Sequence, residues 1–214
     1  MTIAIHQPNF FPSLHYFHKM ENCDLFVILD NVQFEKNLFQ NRNRIKTPQG
    51  IQWLTAPVNY KFHQKINEVL LANYPQTQKK LIKTIELNYK KSKNFDKFFP
   101  WIRAVLMMNY ERLFDLNMAI IETLKAILGI KTPMVIASDY NFEGEKTDLL
   151  VNICRHFKTD TYLSGSGGSK DYLDITKFGN ILVKFDNFVH PIYKQPWGEF
   201  IPNLSAIDYL FNEL

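Results

Sequence analysis

The chain of 214 residues is short of cysteine, of glycine, of long apolar runs and of charge of one sign. Its two cysteines, Cys23 and Cys154, lack the paired spacing of a metal knuckle and read as free thiols in a reducing compartment. No apolar run reaches the roughly 18 residues that a membrane-spanning helix needs. The opening MTIAIHQPNF has neither a basic n-region nor a long apolar h-region, so no secretory signal is expected and the protein is expected to be cytoplasmic. Lys and Arg number 25 against 21 Asp and Glu, a formal net charge of +4. That excess is too small for a protein whose main partner is duplex nucleic acid, and it suits a local anion site better. There is no internal repeat, linker or low-complexity segment.

Apolar residues are plentiful, at 46%, and aromatics reach 14%, enough for one sizeable core and not for disorder. Periodicity predicts strands over Thr2–His6, Asp24–Leu29, Ile51–Val58, Pro133–Ala137, Thr161–Leu163 and Ile181–Phe185. It predicts helices over Pro12–Met20, Tyr74–Lys97, Phe98–Leu128, Lys146–Phe157 and Asn203–Leu214, with Asn203 or Ser205 as the last N-cap. Gln33–Gly50, polar and basic, reads as a functional loop. Strands alternating with helices argue for a three-layer α/β fold, a mostly parallel sheet flanked by helices, Rossmann-like. The whole chain, 1–214, is expected to form a single domain with a mainly helical segment at about 75–130. In such sheets ligands bind beyond the carboxyl ends of the strands.

Polar residues cluster where that rule looks for them. His6, Gln7 and Asn9 end the first strand, with His18 a helix further on; a neutral imidazole is the usual base near neutral pH, and the amides orient a ligand. The ordinary alternative is a turn whose histidine caps backbone groups. His15 and His18 lie three apart, but no third ligand follows, so no metal is expected. Asp30 follows a buried strand, where a carboxylate needs a partner. Gln33, Lys36, Asn41, Arg42, Arg44 and Lys46 come next, and on extended chain Arg42 and Arg44 point the same way, a fork pair suited to a phosphate or diphosphate. A solvated basic loop is the bland reading. Ser164, Gly165, Ser166, Gly167 and Gly168, running on to Tyr172, form a bend whose amides can line an anion nest, although it is neither a Walker loop nor GxGxxG. Gln195, Asn203 and Ser205 stand before a helix start, another anion site if not simple capping. The lysines at 79, 80, 83, 90, 91, 93 and 97 read as a solvated face that could also dock an acidic carrier protein or a tRNA backbone.

The blocks IHQPNFFPSLHYFHKM, DNVQFEKNLFQNRNRIKTPQGIQWLTAPV, YLSGSGGSKDYLD and YKQPWGEFIPNLSAIDYLFNE, in that order along nearly the whole chain, resemble the WbqC-like family of O-antigen and related polysaccharide gene clusters. Ser13 and His15 depart from the family pattern, so His15 takes no role and His18 is the helix histidine. The resemblance implies glycyl or other acyl transfer to the amino group of an amino-deoxy sugar. A looser likeness is to nucleotidylyltransferase-like α/β folds.

On this reading His6 or His18 deprotonates the amine of a nucleotide-linked amino sugar, with Asp30 beside them as a third catalytic candidate. The Gly/Ser bend receives the oxyanion, and the basic stretch holds the diphosphate. No cofactor is expected to be tightly bound. The donor is a carrier-protein thioester, a coenzyme A thioester or an aminoacyl-tRNA. Two rivals stand beside it: an ATP-dependent nucleotidylyl- or adenylate-forming enzyme, and a non-catalytic binding protein of the same pathway.

Overall fold

Along the chain the elements are β1 (Thr2–His6), α1 (Leu14–Glu21), β2 (Leu25–Ile28), β3 (Arg42–Thr47), β4 (Gly50–Thr55), β5 (Val58–Asn59), β6 (Leu70–Leu71), α2 (Tyr74–Tyr89), α3 (Phe95–Met107), α4 (Leu113–Ile127), β7 (Met134–Ile136), α5 (Lys146–His156), β8 (Thr161–Ser164), β9 (Leu182–Phe185) and α6 (Ala206–Asn212). This computed structural model describes residues 1–165 and 173–214. Its contacts fall into two units. The first holds Met1–Gln7, Tyr16–Asn31 and Ile130–Val189; the second holds Pro8–His15, Val32–Gly129 and His190–Leu214.

The first unit is built on a five-stranded, wholly parallel sheet in the order β7-β2-β1-β8-β9. Counted by appearance in the chain this is 3-2-1-4-5, a doubly wound order that reverses direction between β1 and β8. The continuous apolar runs explain the central strands. Ile3, Ala4, Phe26, Val27 and Ile28 are wholly buried, as strands covered on both faces require. Each large side chain among them contributes roughly 1.5–3 kcal/mol by leaving water. At the outer edge β9 alternates exposed and half-buried residues, with Lys184 on the exposed side. Right-handed crossovers put α1 on one face and α5, with the short 3₁₀ turn Ile175–Phe178, on the other, so the α/β fold has three layers.

The second unit corrects the expected loop at Gln33–Gly50. Residues Arg42–Thr47 are a strand, paired antiparallel with β4 in the register Arg42↔Thr55, Arg44↔Trp53 and Lys46↔Ile51. The segment looked irregular because its inward positions include the polar Asn43. That residue is nevertheless buried, and its Nδ2 donates to the Phe11 carbonyl at 2.7 Å. β4 therefore belongs to a hairpin and not to the parallel sheet, and β5 pairs only with β6. The long helical stretches are also divided: α2 ends at Tyr89, and α3 and α4 are separate helices. Ser205 is the N-cap of α6, its hydroxyl accepting from the Ile207 amide, whereas Asn203 lies outside the helix at φ 58°. Phe11 is held at φ 44°, unusual for a bulky residue; its ring is fully buried beside Phe10, and its carbonyl is anchored by Asn43.

Candidate functional site

Within the first unit, the carboxyl ends of the five strands carry a row of polar residues. From one edge to the other these are Ser138 just past β7, Asp30 past β2, His6 ending β1, Ser164 ending β8 and Asp186 past β9. Each element delivers its residue because an apolar run stops there and the next side chain reaches beyond the buried layer. His6 and Ser164 flank the point where the strand order reverses, the usual ligand crevice of such sheets.

The most organised chemistry in this row is an aspartate–histidine pair. His18 Nδ1 lies 3.0 Å from Asp186 Oδ1 and 3.2 Å from Oδ2. The Asp186 side chain is 2% exposed and that of His18 32% exposed, so the carboxylate is sealed while the imidazole reaches solvent. A carboxylate accepts, so Nδ1 carries the proton and Nε2 is the basic nitrogen. The Asp186 amide donates to the Ser164 carbonyl at 2.8 Å, which fixes the carboxylate against the end of β8. The Phe188 ring packs on the imidazole at 5.2 Å. Asp186 escaped sequence reasoning because it sits 168 positions from His18 in no recognisable motif. The one available signal was its place directly after the run LVKF.

His6 is half-buried, its Nδ1 3.1 Å from the Gln7 carbonyl and its ring edge-on to Tyr16 at 4.7 Å. Tyr16, also missed, is 3% exposed, and burial pushes its phenol well up from the ordinary range. Its hydroxyl has no hydrogen-bond partner among the described residues. Lys19, one residue after His18, is buried with Nζ donating to the Ile5 carbonyl at 2.8 Å. Desolvation pushes its pKa down to about 8, opposed by Cys23 and Asp186. Asp30 is 1% exposed; Oδ1 accepts from the Ser138 amide at 3.0 Å and Oδ2 from its hydroxyl at 2.6 Å, tying the end of β2 to that of β7. Ser164 is buried and Gly165 half-buried, while Ser166, Gly167, Gly168 and Tyr172 lie outside the described residues. Burial pushes the thiols of Cys23 and Cys154 up to about 12, so both are inert core groups.

The remaining candidates belong to the second unit. Arg42 and Arg44 share one face of β3 and both lie over the half-exposed Trp53 ring, at 4.1 and 6.0 Å. Arg44 also donates to the Asn203 carbonyl at 2.9 Å. Lys46 is buried: Nζ donates to Gln195 Oε1 at 3.1 Å and to the Glu199 carbonyl. Gln195 Nε2 passes the chain on to Asp208 Oδ1 at 2.9 Å, which also accepts from Tyr193; Tyr89 donates to Oδ2 at 2.8 Å. Burial raises the Asp208 carboxyl and lowers the Lys46 ammonium, and their mutual attraction opposes both shifts. An open groove of about 550 Å³ borders this knot, with Lys46, Trp197, Glu199 and Phe200 in its walls.

The other candidates are placed as follows. Asn41 is buried, bonded to Ala56 and Asn37. Gln33 is exposed against His63 at 3.0 Å, and Lys36 lies over the Tyr60 ring at 5.6 Å. Asn9 is half-buried.

Among the described residues no group of three His, Cys, Asp or Glu side chains could hold a metal, and no helix is long and apolar enough to cross a membrane. A family model described as the WbqC-like protein family matches residues 7–214. A Mycobacterium tuberculosis protein named "Uncharacterized protein Rv1507c" is 35% identical over 216 residues, covering 98% of this chain and 93% of that one. No solved structure matches the chain.

Proposed function

The chain belongs to the WbqC-like protein family, and we propose that it transfers an acyl or aminoacyl (glycyl) group to the amine of a nucleotide-linked amino-deoxy sugar in surface-polysaccharide synthesis. The observation that carries this reading is the His18–Asp186 pair at the carboxyl ends of a doubly wound sheet. An ammonium cannot attack a carbonyl until it loses a proton. That first proton goes to solvent, and Nε2 of His18 takes a second proton from the amine nitrogen as it bonds to the carbonyl carbon of a thioester. Asp186 accepts from Nδ1 and holds the ring in the tautomer that leaves Nε2 free to take the proton. The tetrahedral oxyanion then re-forms its carbonyl and expels the thiolate, which receives the proton from the imidazolium. The products are an amide and a free thiol.

A second reading has its own support. The 3-2-1-4-5 strand order is one that binds nucleotides at its reversal point, which suits a nucleotidylyl- or adenylate-forming enzyme. That enzyme consumes ATP with Mg²⁺ and releases pyrophosphate; transfer from a thioester needs neither.

Thermal-shift measurements against a nucleotide-linked 4-amino-4,6-dideoxy sugar, coenzyme A and ATP with Mg²⁺ separate the two, since a ligand bound only by the folded state raises the melting temperature by mass action. Stabilisation by the amino sugar, with appearance of the amide mass on adding a thioester, is expected. Stabilisation by ATP alone, with pyrophosphate release, refutes acyl transfer. No stabilisation by any of them points to a binding protein whose ligand lies outside these classes.

A further inference from the structure

The net charge of +4 hides a sharp imbalance. Between Tyr74 and Met107, Lys79, Lys80, Lys83, Lys90, Lys91, Lys93, Lys97 and Arg103 face only Glu86 and Asp96, a local excess of +6. The rest of the chain is therefore net acidic, at −2. All eight cations are exposed, and none forms an ion pair with another described residue. Helices α2 and α3 are in contact, and each has a buried stripe, which includes Leu81, Ile85 and Tyr89 on α2 and Phe98, Ile102 and Leu106 on α3. The cations lie on the exposed side of the two helices and, with Lys90, Lys91 and Lys93, in the turn that joins them.

A solvated basic face would account for the lysines but not for what lies among them. Trp101 is 63% exposed, Met108 60%, Leu87 57% and Met107 55%. Trp101 and the exposed Ala104 stand three residues apart on one stripe of α3, and the exposed Met108 is the residue that caps its end. Large exposed Trp and Met side chains beside charge are the anchors of protein interfaces, where an aromatic fills a pocket and flexible thioethers adapt to the partner. Seven of the eight cations are Lys, compact point charges that steer an opposite field, and not the planar forks that grip individual phosphates. This favours an acidic protein over an RNA.

We propose that the outward face of α2 and α3 docks an acidic, helical carrier protein bearing the acyl or aminoacyl thioester, with Trp101 as the anchor. The identity of the cargo rests on the transfer reading above; the acidic partner rests on the surface itself. Complementary potential brings the carrier to the lysines, and an amphipathic helix lays its apolar residues along Trp101, Ala104 and Met108.

The test is titration of the full chain with a strongly acidic holo acyl carrier protein, at low and at high salt, using wild type, the double variant Lys83→Glu/Lys90→Glu and Trp101→Ala. All of these positions are exposed, so unchanged circular dichroism and melting temperature are expected. Binding that weakens about tenfold or more in each variant, and that falls with salt for the wild type, is the expected result. Carrier binding that is absent, or equal across the three proteins, overturns the proposal. So does a tRNA that binds through these lysines while the carrier does not. If wild type and the double variant acylate the amino sugar equally well from both a coenzyme A thioester and the carrier thioester, docking fails and transfer stands. If the carrier binds as expected but no amide forms from any thioester, transfer fails and docking stands.

Discussion

Asp186 and Asp208 are both buried carboxylates, one in each unit, and their partners set them apart. Asp208 is satisfied wholly from within: Tyr89, Tyr193 and Gln195 donate to it, and Lys46 supplies the opposing charge through Gln195. Nothing in that knot can change protonation without breaking bonds that hold β3, α2 and α6 together. Asp186 instead faces an imidazole whose far side reaches solvent. Its pairing orients a group that can exchange a proton with a substrate. The same residue type thus cements one unit and directs chemistry in the other, and partner exposure, more than burial of the acid, separates the two roles.

The largest way to break this contrast is at Asp208. Asp208→Ala takes the shared acceptor from the Tyr89 and Tyr193 hydroxyls and the Gln195 amide, and the opposing charge from the buried Lys46 ammonium. The expected loss is about 3–5 kcal/mol of unfolding free energy by urea titration. A loss under about 1 kcal/mol would mean that the knot is looser than its geometry. Asp186→Asn is the mirror case. Its fold is expected to survive with nearly unchanged urea stability, while kcat falls on the order of 10²–10⁴-fold because the imidazole loses its fixed tautomer. Equal loss of stability in both variants would erase the distinction.

Lys19 sharpens the comparison through pH. The unfolded chain keeps this proton up to its ordinary 10.5, whereas the folded chain releases it near about 8. Between those values unfolding takes up a proton, so stability from this group rises with pH, by roughly 3 kcal/mol across the window. Below about 8 both states are protonated and the slope disappears. Denaturation curves for wild type and Lys19→Met from pH 7 to 10.5 read this as a difference: the Cys23 and Cys154 thiols lower stability above about pH 9 in both proteins, so it is the stability of the wild type relative to the variant that is expected to rise across the window. The smallest effect is at Ser205, where Ser205→Ala removes the N-cap of α6 and should cost about 1 kcal/mol with no change in turnover.

The two units also differed in how openly the sequence declared them. β1, β2 and β8 are short apolar runs bounded by polar residues, and each was recognisable because strands buried on both faces must be apolar throughout. β3 was missed for the opposite reason. Arg42, Asn43, Arg44 and Lys46 are polar on both faces, and only the fold reveals that Asn43 and Lys46 are interior groups satisfied by Phe11, Gln195 and Glu199. The histidines and Asp30 were legible as strand-end or helix residues. Asp186 was not, because its significance is a contact between α1 and the end of β9 that no spacing encodes. Asp208 stands in the first turn of α6, where an acid draws no notice, and only the fold shows two tyrosines closing over it.

The central claim is that His18 is the base. Chemical rescue tests it most directly: amide formation on the amino sugar from a thioester is followed by mass spectrometry for wild type and His18→Ala, with and without added imidazole. The account predicts a loss of roughly 10²-fold or more in His18→Ala, recovered in proportion to imidazole concentration. A His18→Ala protein that turns over at the wild-type rate, or a loss that imidazole leaves untouched while His6→Ala is rescued, would contradict it.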